Sequence, residues 1–372
     1  MKPETVVFLG AGASQRAGYP LASGLLPAVK KAALETRGVQ FKEAWKEWEE
    51  FREGTKGLLR RLLSNPNPEV VLSVVDLMDV GVTAEDEDQW AKDWARAQED
   101  MEGAAESQER HYADAGRDAL TKARRARRRL LTAVDEFFSG KHYAETKPES
   151  RARRDYLRDR LLPELQNGDA VVTTNWDTMA EWILGGEGLW SPFSGYGFRC
   201  NLEDGLVPYV TRPLPEDLPT DSQITLLKLH GSYGWRRKDD EHIYLEHARF
   251  LQHLPFRFDR TNLWFRDATE PDVGAFDEPA VLYPSYLKQI RGPELQEIWY
   301  LAGQAFNHAK RVKILGYSLP LADGAVRSLL VSLRFRLSDN DVEVEVVDRS
   351  SAVLSRWEEF LGPAVKLTKE EV

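Results

Sequence analysis

Five short runs in the sequence have the length and composition of β-strands, and the last of them alternates apolar and charged residues, as a less covered strand would. Two longer stretches repeat apolar residues at the spacing of an amphipathic helix. Because strands and helices alternate along the chain, the pattern predicts right-handed crossovers and a doubly wound parallel sheet, a Rossmann-like α/β fold. The predicted strands span residues 6–9, 169–174, 224–229, 312–317 and 342–347, and the predicted helices span residues 293–309 and 323–337.

A large helical insertion is predicted between the first two strands. About 160 residues separate them, far more than one crossover helix needs. Residues 41–162 are charged and helix-forming, with an acidic run at 84–109 followed by a basic run at 122–129. We expect the basic run to form a solvated helix face or to pair with the acidic run, and phosphate binding is the alternative.

A second, smaller insertion is predicted at residues 186–275. It is rich in aromatic residues, prolines and charges and has no clear periodicity, which is typical of a loop-rich module. The Rossmann-like domain is therefore predicted to be discontinuous, formed by residues 1–40 and 163–372.

Composition narrows the class of protein. The 372 residues include 42% hydrophobic residues and eleven tryptophans, as expected of a globular chain with a sizeable core. A formal net charge of −10 argues against direct nucleic-acid binding. The single cysteine, Cys200, excludes an internal disulfide and a thiolate-rich zinc site. Without a signal peptide or a long apolar run, the protein is expected to be soluble and cytoplasmic.

Polar or glycine-rich clusters follow four of the predicted strands. They are GAGAS at 10–14, TTNWD at 173–177, KLHGS at 228–232 and LGYSLP at 315–320. Since ligands of open α/β sheets bind at the carboxyl ends of the strands, these clusters are expected to converge on one edge.

The glycine loop at 10–14 predicts a phosphate site, because glycines let a bulky group approach the peptide N–H groups. A tight turn without a ligand is the alternative. Position 15 is Gln15, so the dinucleotide fingerprint of dehydrogenases is incomplete.

These four clusters, in this order, resemble the sirtuin-like family. The resemblance is greatest to divergent bacterial members that consume NAD in anti-phage defence. The four-cysteine zinc ribbon of the protein deacylases is missing, and Trp176 stands at the middle position of their Asn-Ile-Asp motif. The resemblance therefore implies a Rossmann-like NAD-binding fold with no metal, and it puts recognition of an acylated lysine in doubt.

The resemblance assigns NAD-binding roles to the glycine loop and to later strand ends. Backbone amides would cradle the pyrophosphate of NAD, and the late glycine and serine would approach its adenosine half. A carboxylate after the last predicted strand would bind a ribose, with ordinary surface solvation as the alternative. The NAD-binding residues implied in this way are Gly10, Ala11, Gly12, Ser14, Thr174, Gly316, Ser318 and Asp348. Tyr19 and Pro20 end the glycine loop and are expected to form a mobile lid.

Three residues are the catalytic candidates. Asn175 matches the family asparagine beside the nicotinamide ribose, and the alternative is a strand-end backbone partner. Asp177 is expected to steady the active-site loop or the ribose, or to cap a helix. His230 is the candidate base, since a histidine with a pKa near ~6.5 accepts a proton at neutral pH; the alternative is a structural hydrogen bond.

Three other histidines, His242, His247 and His253, lie close together in the sequence. Their spacings of five and six residues do not put them on one helix face, so metal binding is not expected.

The resemblance implies an NAD glycohydrolase that releases nicotinamide and ADP-ribose. A zinc-free deacylase or ADP-ribosyltransferase, and a non-catalytic protein that binds NAD or ADP-ribose, remain as alternatives. It also implies a homo-oligomer and a partner such as a HerA-type ATPase or an Argonaute-like protein. The sequence has no G-x-x-x-x-G-K-[ST] motif, so ATP hydrolysis would come from such a partner.

Overall fold

A computed structural model gives the fold of the chain. The residues that it describes are 2–36, 38–65, 68–77, 109–145, 151–191, 194–198, 222–237, 243–245, 278–282, 290, 292–321 and 323–370. The chain divides into two compact units. The first comprises Met1–Leu21, Phe138–Leu282 and Gln289–Val372, and the second comprises Ala22–Phe137 and Tyr283–Lys288.

A six-stranded parallel sheet forms the first unit, and a small antiparallel sheet accompanies it. Numbered in chain order, the strands are β1 Thr5–Leu9, β2 Ala170–Thr173, β3 Thr225–Lys228, β4 Gly231–Arg237, β5 Ile243–Leu245, β6 Glu278–Val281, β7 Arg311–Leu315, β8 Glu343–Asp348 and β9 Lys366–Lys369. The main sheet has the order β3-β2-β1-β7-β8-β9. Counting its own strands only, this is the Rossmann order 3-2-1-4-5-6, whose switch point lies between β1 and β7.

The described helices flank this sheet or build the second unit. They are α1 Leu25–Glu35, α2 Val39–Gly54, α3 Gly57–Leu63, α4 Pro68–Leu77, α5 Glu109–Glu145, α6 Arg151–Leu161, α7 Met179–Gly186, α8 Pro293–His308, α9 Gly324–Ser338 and α10 Ser351–Leu361. Short 3₁₀ helices span Ala11–Ala17, Ala22–Gly24 and Leu162–Glu164. Helix α8 begins with proline at its first position, where the missing N–H costs no helical hydrogen bond.

The predicted fold class is confirmed, because each of the five predicted strands and both predicted helices is present within a few residues of its expected bounds. Strand β1 is buried along its whole length, as a central strand covered on both faces should be. Phe8 of β1 contacts Phe306 of α8 and Tyr317, with ring centroids 5.8 and 4.8 Å away. This packing fixes β1 and β7 beside each other at the switch point.

The range predicted as a loop-rich insertion, residues 186–275, contains strands as well. Strand β3 lies in the main sheet, and β5 pairs with β4 in a second sheet of order β5-β4-β6. Trp190, Tyr196 and Trp235 are fully buried here, with the Tyr196 ring 4.8 Å from each tryptophan. Residues 192–193, 199–221, 238–242 and 246–275 of this range, with Cys200 among them, lie outside the described residues.

The described part of the second unit is helical, and the predicted insertion at residues 41–162 overlaps much of it. Its core includes Trp45 and Trp48 of α2, both nearly inaccessible to solvent. In the basic run, Arg125 and Arg129 each form an ion pair with Glu47 of α2, at 2.9 and 3.0 Å. The acidic run, apart from Glu109 at the start of α5, lies outside the described residues.

Within the described ranges, no helix combines the length and the apolar character needed to cross a membrane.

Candidate functional site

The glycine loop after β1 packs directly on the backbone that follows β7. The Gly10 N–H donates to the Leu315 carbonyl and the Gly12 N–H donates to the Gly316 carbonyl, both over 2.9 Å. A Cβ atom on Gly10 would lie 2.4 Å from Tyr317 Cα, and one on Gly12 would lie 2.7 Å from Gly316 O. Because backbone atoms cannot move aside cheaply, both positions require glycine.

This packing reduces the number of backbone N–H groups in the glycine loop that can bind a phosphate. The N–H groups of Gly10 and Gly12 bind protein carbonyls, so they do not point to a ligand in this structure. The Ala11 N–H has no hydrogen-bond partner among the described residues. Ala11 and Gly12 are partly exposed, whereas Ser14 is buried. Of the predicted amide donors, Ala11 is the one whose N–H stays available.

Asn175 follows β2 and joins the glycine loop through its side chain. Its Nδ2 donates to the Gly10 carbonyl over 3.0 Å and to Ser14 Oγ over 3.1 Å. The side chain is 9% exposed, and in the described part of the chain its Oδ1 has no hydrogen-bond partner. A buried acceptor of this kind is costly unless a donor reaches it. Asn175 therefore presents an oxygen that a hydroxyl or amide of a ligand can satisfy.

Asp177 is tied into the same network. Its carboxylate accepts hydrogen bonds from the Met179 N–H, at 3.0 Å, and from the Ser14 hydroxyl. Burial raises the pKa of Asp177, and the positive charge of Lys228 acts in the opposite direction. Asp177 therefore links Met179, at the start of α7, to Ser14 of the glycine loop.

His230 follows β3 and pairs with a residue that the sequence did not single out. Its Nε2 is 3.4 Å from Oδ1 of Asp323, and Tyr317 donates a hydrogen bond to Oδ2 of the same carboxylate over 2.6 Å. All three side chains are buried. An aspartate beside a histidine orients the imidazole and stabilises its protonated form.

Asp323 was missed because its position suggests a different role. It directly precedes helix α9, where an aspartate is expected to cap the first turn. In the structure its side chain makes no cap hydrogen bond and faces His230 instead. Leu319, four residues earlier, has a positive φ of 52°, which is uncommon for a residue other than glycine. The only sequence signal was an acidic residue shortly after the Gly-Tyr-Ser motif.

The remaining predicted NAD-binding residues occupy three strand ends. The Thr174 N–H donates to the Leu9 carbonyl over 3.2 Å, linking β2 to β1. Gly316 has a φ of 63° and ends β7 beside the glycine loop. Ser318 is exposed. Asp348 ends β8, and its Oδ1 accepts the Ser350 N–H over 2.8 Å, so this oxygen is engaged at the start of α10.

Tyr19 differs from its predicted place in a mobile lid. It is 3% exposed and stacks on Phe138, with ring centroids 6.0 Å apart. Phe138 in turn stacks on Tyr233 and meets Trp176 edge-on. The end of the glycine loop is therefore held in an aromatic cluster of these four residues.

Among the residues that the structure describes, no three histidine, cysteine, aspartate or glutamate side chains are grouped to hold a metal ion. His242, His247 and His253 lie outside those residues.

No protein-family model matches the sequence, and no curated protein matches it. The fold and the site geometry are therefore the basis on which a function can be argued.

Proposed function

We propose that this protein is an NAD glycohydrolase related to the sirtuin-like family, releasing nicotinamide and ADP-ribose. The observation that carries the proposal is a continuous chain of contacts among the strand-end clusters. It runs from Asn175 to Gly10 and from Gly10 to Leu315 at the end of β7, and then from Tyr317, two residues later, through Asp323 to His230. A candidate ligand-binding amide and a candidate base thus belong to one network at the sheet edge where dinucleotides bind.

Binding of NAD is supported by the order of the sheet. In an open sheet with this strand order, a dinucleotide crosses the switch point, which here separates β1 from β7. The glycine loop and Gly316 end these two strands. The available Ala11 N–H supplies a donor for a pyrophosphate oxygen, and the Asn175 Oδ1 supplies an acceptor for a ribose hydroxyl.

The reaction breaks the bond between the ribose C1′ and the nicotinamide nitrogen. The bonding electron pair leaves with nicotinamide, and the ribose is left as an oxocarbenium ion. Water then bonds to C1′ and gives its proton to His230, while the Asp323 carboxylate stabilises the imidazolium that forms. Asn175 is neutral, so it orients the ribose or the water without trapping the developing cation as a covalent adduct.

The cellular role follows from this chemistry and from the resemblance. An enzyme that depletes NAD fits an effector of bacterial anti-phage defence, kept inactive until triggered. Assembly into a homo-oligomer, or with a HerA-type ATPase or an Argonaute-like protein, would provide that control.

The test is NAD consumption by the purified protein, with nicotinamide and ADP-ribose separated by chromatography. We expect His230→Ala to lower kcat by about 10²- to 10⁴-fold, the usual contribution of general acid–base catalysis. Asn175→Ala should also lower turnover. His308→Ala is the matched control, because His308 is exposed at the end of α8 and should retain full activity.

Two results would contradict the proposal. NAD turnover that survives His230→Ala would remove the assigned base. A wild-type protein that neither consumes nor binds NAD would remove the dinucleotide site itself. ADP-ribose attached to protein, instead of free ADP-ribose, would identify a transferase that shares the cleavage step.

A further inference from the structure

A buried ion pair adjoins the loop that carries Asn175. Lys228 and Glu181 are both fully buried, and Nζ lies 2.7 Å from Oε1. Tyr196 donates a further hydrogen bond to the same glutamate oxygen over 3.1 Å. The proposed reaction uses none of these three side chains.

The ion pair reaches the site through one backbone oxygen. Lys228 Nζ also donates to the carbonyl of Asp177, two residues after Asn175 in the same loop. The Asp177 carboxylate is held by the Ser14 hydroxyl, and Asn175 donates to Ser14 as well. Lys228 itself ends β3, two residues before His230. One ammonium group therefore connects the segment of the candidate base to the segment of the ligand-binding amide.

A contribution to folding stability alone does not explain why Lys228 and Glu181 form a buried ion pair. Moving two charges out of water is costly, and replacing a buried ion pair with apolar residues of similar volume is often neutral or stabilising. A fixed ammonium group, in contrast, holds a carbonyl oxygen at a defined distance and direction, which an apolar side chain cannot do.

We propose that Lys228 and Glu181 are positioning residues for the site. Glu181 holds the Lys228 ammonium, and the ammonium fixes the Asp177 carbonyl, so that Asn175 keeps its orientation relative to His230. The first readout, kcat for NAD hydrolysis, rests on the proposed function. The second readout, hydrogen exchange, does not depend on it.

The test replaces all three buried polar side chains, Lys228, Glu181 and Tyr196, at once. In the variant Lys228→Met/Glu181→Met/Tyr196→Phe, neither member of the ion pair is left buried without the other, so we expect the protein to fold. The Asp177 carboxyl stays buried and loses the nearby positive charge of Lys228, so we expect some loss of thermal stability. We expect kcat for NAD hydrolysis to fall about 100-fold with KM little changed, because a displacement of about 1 Å can cost this much. Lys313→Met/Glu164→Met is the control, since this ion pair has the same 2.7 Å length and lies outside the site network. It should keep the wild-type kcat.

Hydrogen exchange supplies the readout that does not depend on activity. The Met179 N–H is bonded to the Asp177 carboxylate, so a loosened loop should exchange faster in the peptide covering residues 174–179. The control variant should leave that peptide unchanged. If the triple variant does not fold, Lys228→Gln/Glu181→Gln takes its place, because glutamine is uncharged and one bond shorter than lysine.

The two proposals fail in different ways. A folded variant with wild-type kcat and unchanged exchange at residues 174–179 would overturn the positioning role. If the wild type hydrolyses no NAD, the exchange comparison alone decides the inference: faster exchange supports it and unchanged exchange overturns it. The proposed function fails if the wild type does not bind NAD either.

Discussion

At the scale of single residues, the site depends on backbone atoms as much as on side chains. Asn175 and His230 were predicted from the sequence, because each follows an apolar strand within a short motif. Asp323 was not, because an acidic residue before a helix is most often a cap. What distinguishes Asp323 is its 3.4 Å contact with a residue 93 positions earlier, and no local pattern encodes that contact.

Gly316 gives a prediction at this scale. Its φ is 63°, and an added Cβ would lie 2.4 Å from the Ala13 nitrogen. Both the left-handed conformation and the contact with backbone oppose a side chain. We expect Gly316→Ala to lower the free energy of unfolding by about 2 kcal/mol or more, measured by urea denaturation.

Gly140→Ala is the matched control for that substitution. Gly140 lies in helix α5 with nothing within 4 Å of an added Cβ, so alanine should stabilise the protein by roughly 0.5–1 kcal/mol. If the two substitutions changed the free energy of unfolding equally, the close approach of the loops after β1 and β7 would not be what requires glycine at position 316.

At the scale of secondary-structure elements, the sequence predicted the strands of the main sheet that are buried and did not predict the exposed one. Strands β1, β2 and β3 and the later part of β7 carry apolar runs because they are buried, β8 alternates apolar and charged residues, and the sequence predicted all five. Strand β9 was not predicted. It lies at the sheet edge with its four residues exposed or half-buried, so it has no apolar run to mark it, and pairing with β8 defines it.

Charged side chains join β9 to its neighbour and give a pH prediction. Glu345 Oε1 accepts hydrogen bonds from Lys366 and Thr368, each over 2.7 Å. Partial burial acts to raise the pKa of Glu345, but these hydrogen bonds, with the charges of Lys313 and Lys366, outweigh it and hold the pKa below its ordinary value. The stabilisation is therefore fully present above the ordinary pKa of a glutamate and is lost as the pH falls through the lower, folded-state pKa.

We expect Glu345→Gln to lower the free energy of unfolding by about 0.5–1 kcal/mol at pH 7, since the pair is partly exposed. The difference from the wild type should shrink at acid pH, where glutamate is protonated and resembles glutamine. Urea denaturation at neutral and acid pH measures both. Glu343→Gln, at an exposed position of the same strand, is the control, and a difference that persists unchanged in acid would contradict the assignment.

At the scale of the whole molecule, the chain has two compact units. Trp48 is 2% exposed in the second unit, and Phe306 is fully buried in the first. Truncating either side chain to alanine should cost about 3–5 kcal/mol in the unit that contains it.

We expect Trp48→Ala to speed hydrogen exchange mainly in helices α2 and α3, and Phe306→Ala to speed it mainly in β1, β7 and α8. Mass spectrometry of the exchanged peptides separates these patterns, because local opening follows the stability of each compact unit. Equal acceleration throughout the chain in both variants would show that the two units unfold as one.

The sequence by itself determined the α/β class, the parallel strands and the strand-end positions of Asn175 and His230. It could do so because a buried strand has an apolar sequence, and because ligands of parallel sheets bind at the carboxyl ends of the strands. Only the tertiary structure decided that the Gly10 and Gly12 amides bind the backbone after β7, that Asp323 faces His230, and that Lys228 holds the Asp177 carbonyl. These contacts join segments far apart in the chain, and their distances depend on packing that no local pattern records.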